Sequence, residues 1–130
     1  MDSRCTEERC NMKKPYIICH MMISIDGRID CAMTSKLPGV DDYYISLEEI
    51  LAEQFGVERM GVVGGPKINT AFLEAGLLDE ISLLVGAGID GRGGMPAVFD
   101  GLAMQHDVTK LKLIDVKKFD SDAVWIRYRC

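Results

Sequence analysis

The sequence contains no apolar run near the roughly 18 residues that a membrane-spanning helix needs, so no membrane partner is expected. It has five cysteines, Cys5, Cys10, Cys19, Cys31 and Cys130, but no C-x-x-C pair. His20, beside Cys19, has no second histidine at ligand spacing, so no zinc site is expected. Reduced thiols in a reducing compartment are the plain reading of this odd set. Positive charge is in deficit: 15 Lys and Arg stand against 20 Asp and Glu, a net charge of -5. A chain that binds nucleic acid broadly shows a basic face, so no nucleic-acid partner is expected. Internal repeats and low-complexity tracts are also missing. Residues 1–14 are charge-rich and carry no apolar stretch of signal-peptide type, which predicts a loose leader and a cytoplasmic protein.

What remains is one domain's worth of chain, 130 residues with 48% apolar side chains. The single domain is expected over 15–130. Tyr16 to Ile23 is a nearly continuous apolar run, which predicts a buried strand ending at about Ile25, before the Asp26-Gly27 turn. Residues Cys31 to Tyr44 read as loop, broken by Pro38-Gly39. Ser46-Leu47-Glu48-Glu49 has the form of a capping box and predicts a helix start at Ser46. Leu47, Ile50, Leu51 and Phe55 follow at helical spacing, and Gly56 is the expected stop. Arg59 to Val63 is the second expected strand.

Gly64-Gly65-Pro66-Lys67-Ile68-Asn69 then joins that strand to a helix carrying Ile68, Ala71, Phe72 and Ala75 on one face. Paired glycines at a strand-to-helix turn let a ligand approach the backbone closely. The helix start adds unpaired N–H groups and the positive end of a dipole, which together suit the phosphates of a nucleotide. Plain connection geometry accounts for the same pair equally simply. Ile81 to Val85 is the third strand, followed by a glycine-crowded loop, Gly86 to Gly94. Ala97 to Leu102 reads as one short helical turn. Lys110 to Val116 and Ala123 to Tyr128 form an antiparallel hairpin. The expected fold class is α/β, with a mixed sheet flanked by helices and closed by that C-terminal hairpin.

Three blocks carry a family resemblance. Met22-Ile23-Ser24-Ile25-Asp26-Gly27-Arg28-Ile29 is similar to a first-strand S-[LI]-D-G-[KR]-[IV] signature. Val63-Gly64-Gly65-Pro66-Lys67-Ile68-Asn69 is similar to a G-G-x-x-[LI]-[NH] phosphate turn. Ala75-Gly76-Leu77-Leu78-Asp79-Glu80-Ile81 is similar to an A-G-L-[VIL]-D-E-[LI] block. In this order the blocks resemble the RibD C-terminal domain, the reductase domain of riboflavin biosynthesis, which has a dihydrofolate-reductase-like fold. The chain is short against that pattern: only Lys36 to Tyr44 separates the first block from the following helix, which reads as an internal deletion. His20 stands where members often carry a lysine.

The resemblance implies hydride transfer from NADPH to a pyrimidine-linked ribose. A dihydropteridine reductase and a non-catalytic nucleotide-binding or dimerisation module are the alternatives. It implies that Gly64, Gly65 and Pro66, with the N–H groups of Lys67 and Ile68, hold the cofactor's phosphates. The Lys67 side chain adds charge there or faces solvent. Asp26 and Glu80 are the implied catalytic carboxylates; otherwise Asp26 forms a turn and Glu80 is an exposed charge where a strand begins. Ser24 and His20 are the implied substrate contacts; otherwise Ser24 satisfies its turn and His20 is a core residue. A homodimer is expected, because a sheet that has lost a segment exposes edges and apolar surface.

Overall fold

The computed structural model describes residues 15–52, 59–62 and 64–130. Its elements are β1 (Tyr16–Ile23), α1 (Cys31–Thr34), α2 (Val40–Ala52), β2 (Arg59–Val62), α3 (Pro66–Glu74), β3 (Glu80–Val85), β4 (Lys112–Lys118) and β5 (Val124–Arg129). The five strands form one mixed sheet in the order β2-β1-β3-β5-β4. β1 lies parallel to both β2 and β3, while β5 runs antiparallel to β3 and β4. The expected α/β sheet, parallel first and antiparallel at the end, is therefore the observed one.

Alternation along β1 divides the core between the two faces of the sheet. Ile17, Cys19 and Ile23 pack with Leu78, Ile81 and Val98, and with Phe72 and Leu73 of α3. Ile18 and Met22 pack on the other face with Leu84, Trp125, Leu37 and Ile50, and with Val40 and Tyr43 of α2. Cys19 is fully buried in the first cluster, and burial pushes its thiol up to about 12.

Several local expectations are corrected. Cys31 to Tyr44 is not a loop: it holds α1 and the first turn of α2. That helix starts after Gly39, whose φ of +92° suits a chain reversal only glycine adopts freely. Asp41 and Asp42 then place negative charge at its positive end. Ser46 is accordingly no cap. It lies inside the helix, buried, with Oγ donating to the Tyr43 carbonyl at 2.7 Å. The expected stop at Gly56 lies outside the described residues.

α3 turns a different face inward than its apolar spacing suggests. Ile68 is 54% exposed, whereas Asn69 and Thr70 are buried. Their polar groups are accommodated because Asn69 Nδ2 donates to the Val98 carbonyl at 2.8 Å and Thr70 Oγ1 to the Asp100 carbonyl at 2.9 Å. Those bonds tie 97–102 down in an irregular form, not the expected helical turn.

Candidate functional site

The topology creates one crevice. The connection from β1 to β2 carries α2 over one face, and the connection from β2 to β3 carries α3 over the other. Adjacent strands whose outgoing connections diverge leave a gap beyond their carboxyl ends, where ligands of open α/β sheets sit. Three segments leave the sheet at that end: the Ser24–Gly27 turn, the Gly64-Gly65 corner and the Gly86–Gly94 loop.

The corner is built for close approach. Gly65 is the N-cap of α3, in extended backbone (φ −75°, ψ −177°) with no side chain to cap the helix, and Pro66 occupies the first turn. Proline's missing N–H costs nothing at this position. A Cβ placed on Gly65 meets nothing within 4 Å. A Cβ on Gly64 lands 2.8 Å from Cβ of Ile68, so that glycine serves the tight turn itself. Lys67 and Ile68 follow on the exposed side of the helix. An open cradle above uncapped N–H groups fits a phosphate.

Asp26 occupies the β1 turn, but its bonds run to the neighbouring loop. Its carboxylate accepts from Ser24 Oγ at 2.6 Å, from the Gly91 N–H at 2.9 Å and from the Asp90 N–H at 3.0 Å. The Ser24 hydroxyl first, and then the two N–H groups, hold the carboxyl well below the usual range, so Asp26 is an anion. Ser24 is itself buried and also accepts from the Arg28 N–H at 3.1 Å. Further bonds fasten the same two segments: Ile25 N–H to the Gly88 carbonyl at 2.8 Å and Arg28 Nη1 to the Met95 carbonyl at 2.6 Å. Arg92 bridges Asp90 and Asp30, at 2.6 and 2.9 Å, beside a charged cleft of about 460 Å³.

Glu80 is elsewhere. It pairs with Ile18 at the amino end of β3, while Val85 pairs with Ile23. At roughly 3.3 Å of rise per residue it lies about 17 Å along the sheet from the end that carries Asp26. It is 2% exposed and takes Arg127 Nε at 2.6 Å, Arg127 Nη2 at 3.1 Å and the Tyr16 hydroxyl at 3.1 Å. Burial, and then the Glu80 charge, push the Tyr16 hydroxyl up to about 12. The structure therefore separates the two carboxylates that the sequence suggested as partners. Glu80 is neither an exposed charge nor a neighbour of Asp26; it is half of a buried ion pair.

His20 is likewise committed to the interior, at 1% exposure. Its bonds fix its tautomer. The Ser46 hydroxyl spends its proton on the Tyr43 carbonyl, so it accepts from His20 Nε2–H at 3.1 Å. Trp125 Nε1–H donates to Ser82 Oγ at 2.6 Å, leaving the Ser82 proton for His20 Nδ1 at 2.8 Å. Both nitrogens of a neutral ring are thus satisfied, and burial lowers its pKa to about 4. The expected substrate contact through His20 is not offered to the crevice.

His20 instead supports a wall. The Tyr43 ring stacks on it with centroids 4.8 Å apart, and the Tyr43 hydroxyl donates to the His20 carbonyl at 3.3 Å. Tyr43 and Tyr44 line a cleft of about 300 Å³ with Met21, Met22, Thr34 and Ser35. Sequence reasoning missed this cleft because it took Cys31 to Tyr44 as loop. The available signal was the spacing of Val40, Tyr43 and Ile50, which puts them on one helical face. Among the described residues no cluster of His, Cys, Asp and Glu could hold a metal, and no helix is long and apolar enough to cross a membrane.

Known proteins share this architecture. RibD from Acinetobacter baumannii superposes with a TM-score of 0.60 at 15% identity, over 94% of this chain and 59% of that one. A Thermotoga maritima diaminohydroxyphosphoribosylaminopyrimidine deaminase/5-amino-6-(5-phosphoribosylamino)uracil reductase gives 0.65 at 14% identity, over 92% of this chain and 57% of that one. This chain thus spans under two thirds of either protein, and the likeness is one of fold, a dihydrofolate-reductase-like α/β sheet. No curated protein matches the chain. The family model described as "RibD C-terminal domain" matches residues 46–125, more than half of the sequence. The chain belongs to the RibD C-terminal domain family.

Proposed function

We propose that the chain is an NADPH-dependent reductase domain of the riboflavin-biosynthesis type, acting on a phosphoribosylated pyrimidine. The observation that carries this reading is the Gly64-Gly65-Pro66 corner, open above Gly65 and opening a nine-residue helix at the carboxyl end of β2. Gly64 and Gly65, with the N–H groups of Lys67 and Ile68, hold the pyrophosphate, and Lys67 adds a mobile positive charge. NADPH, when bound, supplies the hydride. The protein's part is to orient: Asp26 and Ser24 hold the Gly86–Gly94 loop against the β1 turn, which shapes the crevice from β3's side. His20 and Glu80 support the sheet from within. Calorimetric titration of NADPH tests the corner. Binding should appear with the native chain and weaken with Gly65→Asp; equal affinities would remove the corner from the account.

A second reading, a nucleotide-binding module without turnover, is favoured by one observation. Asp26, Glu80 and His20 are each engaged by internal partners. NADPH oxidation followed with phosphoribosylated pyrimidine and dihydropteridine substrates separates the two. Turnover supports the reductase and names its substrate; nucleotide binding without turnover supports the module. A homodimer belongs to either reading. Strand β4 is exposed along its whole length, with Leu113, Ile114 and Val116 open to solvent. Such a strand invites a partner, and a monomer by light scattering at micromolar concentration would argue against one.

A further inference from the structure

Asp-Gly pairs stand at Asp26-Gly27, Asp90-Gly91 and Asp100-Gly101. Glycine has no Cβ to hinder its nitrogen, so at such a pair that nitrogen can attack the preceding aspartyl side chain and close a succinimide ring. The reaction needs a side chain free to swing back, a glycine N–H not held elsewhere, and a protonated carboxyl whose hydroxyl can leave as water. All three glycines have positive φ, +77°, +73° and +103°, so backbone conformation does not set the pairs apart. Their hydrogen bonds do. The Asp26 carboxylate accepts from Ser24 Oγ and from the Asp90 and Gly91 N–H groups, which hold it as an anion. The Gly27 N–H that would attack it donates to the Ser24 carbonyl at 3.0 Å. Asp90 accepts from Arg92 Nε at 2.6 Å, Arg92 Nη2 at 3.1 Å and the Arg92 N–H at 3.2 Å. The Arg92 side chain, first of all, keeps the Asp90 carboxyl below its usual range. The Gly91 N–H is the one bound to Asp26, at 2.9 Å.

Asp100 and Gly101 are both exposed and carry none of these restraints. Among the described residues the Asp100 carboxylate makes no hydrogen bond or ion pair, and the Gly101 N–H has no acceptor. Only the Asp100 main chain is held: its N–H donates to Thr70 Oγ1 and its carbonyl accepts from the same hydroxyl, both at 2.9 Å. We propose that Asp100-Gly101 is a site of spontaneous isoaspartate formation, with water as the only co-reactant. The Gly101 nitrogen bonds to Asp100 Cγ, the Cγ–OH bond breaks, and the hydroxyl departs with the N–H proton as water. Water then adds to the ring carbon that was the Asp100 main-chain carbonyl, and the bond from that carbon to the Gly101 nitrogen breaks. The nitrogen regains its proton, so the composition is unchanged. The main chain now runs through Cβ and Cγ, and the former carbonyl is a free carboxylate. The added main-chain carbon displaces that group from Thr70. Thr70 belongs to α3, the helix that begins at the Gly64-Gly65 corner, so the modification cuts a tether between that helix and residues 97–102.

Ageing the full chain at neutral pH and body temperature tests it. Isoaspartate is read with an isoaspartate-specific methyltransferase and a labelled methyl donor, and fragmentation mass spectrometry assigns the residue. In the folded chain Asp100 should react at least about tenfold faster than Asp26 or Asp90, where several hydrogen bonds must open first. In urea those bonds are gone, and the three pairs should react at similar rates. Asp100→Glu keeps the main-chain bonds to Thr70 but forms the ring far more slowly, so it should remove most methyl acceptance from the folded chain. A circular dichroism melt checks that this variant folds. A folded chain in which Asp26 or Asp90 reacts as fast as Asp100 would overturn the proposal. So would native methyl acceptance in Asp100→Glu, a folded chain that forms no isoaspartate at Asp100, or a preference for Asp100 that persists in urea.

Discussion

Acidification should destabilise this protein through His20. Its folded pKa is about 4 against an ordinary value of 6.5. The folded state therefore resists a proton that the unfolded chain takes up. Stability is fully present above about pH 6.5 and is lost as pH falls toward 4, because the unfolded state binds more protons in that window. The whole loss is about 3 kcal/mol, and between pH 7 and pH 5 it is about 2 kcal/mol. Burial is the main cause of the shift and the Arg127 charge adds to it, while backbone hydrogen bonds at Tyr43 and Ser82 oppose it. Urea unfolding at pH 7 and pH 5, followed by the fluorescence of Trp125, measures the loss. In His20→Gln the amide spans the same serines but cannot titrate. That variant should be less stable at pH 7 by roughly 1–3 kcal/mol, yet nearly flat between the two pH values. Parallel pH dependence in the two proteins, or an NMR titration of His20 with a midpoint near its ordinary value, would refute the reasoning.

Two further substitutions read other parts of the structure. Glu80→Ala leaves the Arg127 guanidinium buried without its carboxylate, and it should cost about 3–5 kcal/mol in chemical denaturation; a cost under 1 kcal/mol would mean that the pair is solvated. Asp26→Asn removes the anion that holds the Asp90 and Gly91 N–H groups, so amide exchange at those two positions should accelerate about tenfold or more while the β1 amides stay protected. Unchanged exchange there would detach Asp26 from the loop.

Much of the fold was legible because strands announce themselves by local pattern. The Tyr16–Ile23 run, the Gly-Gly-Pro corner and the C-terminal hairpin each followed from neighbouring residues alone. The start of α2 did not. Asp41 and Asp42 look like loop residues until their place at a helix N-terminus is known, and Ser46-x-x-Glu49 imitates a cap while facing the core. α3 misled in a related way: Asn69 and Thr70 are buried only because a distant segment, 98–100, brings carbonyls to meet them. The separation of Asp26 from Glu80 was implicit in the sequence pattern. One residue follows a strand and the other begins one, so parallel strands place them at opposite ends of the sheet. Which strands are parallel neighbours is a tertiary fact, and it decided the candidate site.

The central claim is that the bare corner at Gly65 receives a phosphate. Gly65→Asp tests it cleanly because the new side chain meets open space and extended backbone, so the fold should persist. An aspartate is also a better N-cap than glycine, by a few tenths of a kcal/mol. The same carboxylate placed about 5 Å from a bound phosphate should cost about 1–3 kcal/mol of affinity. The account predicts opposite signs from one substitution: a melting temperature unchanged or slightly raised, and NADPH affinity by calorimetry reduced about five- to hundredfold. A variant that melts normally and binds NADPH as tightly as the native chain would contradict it.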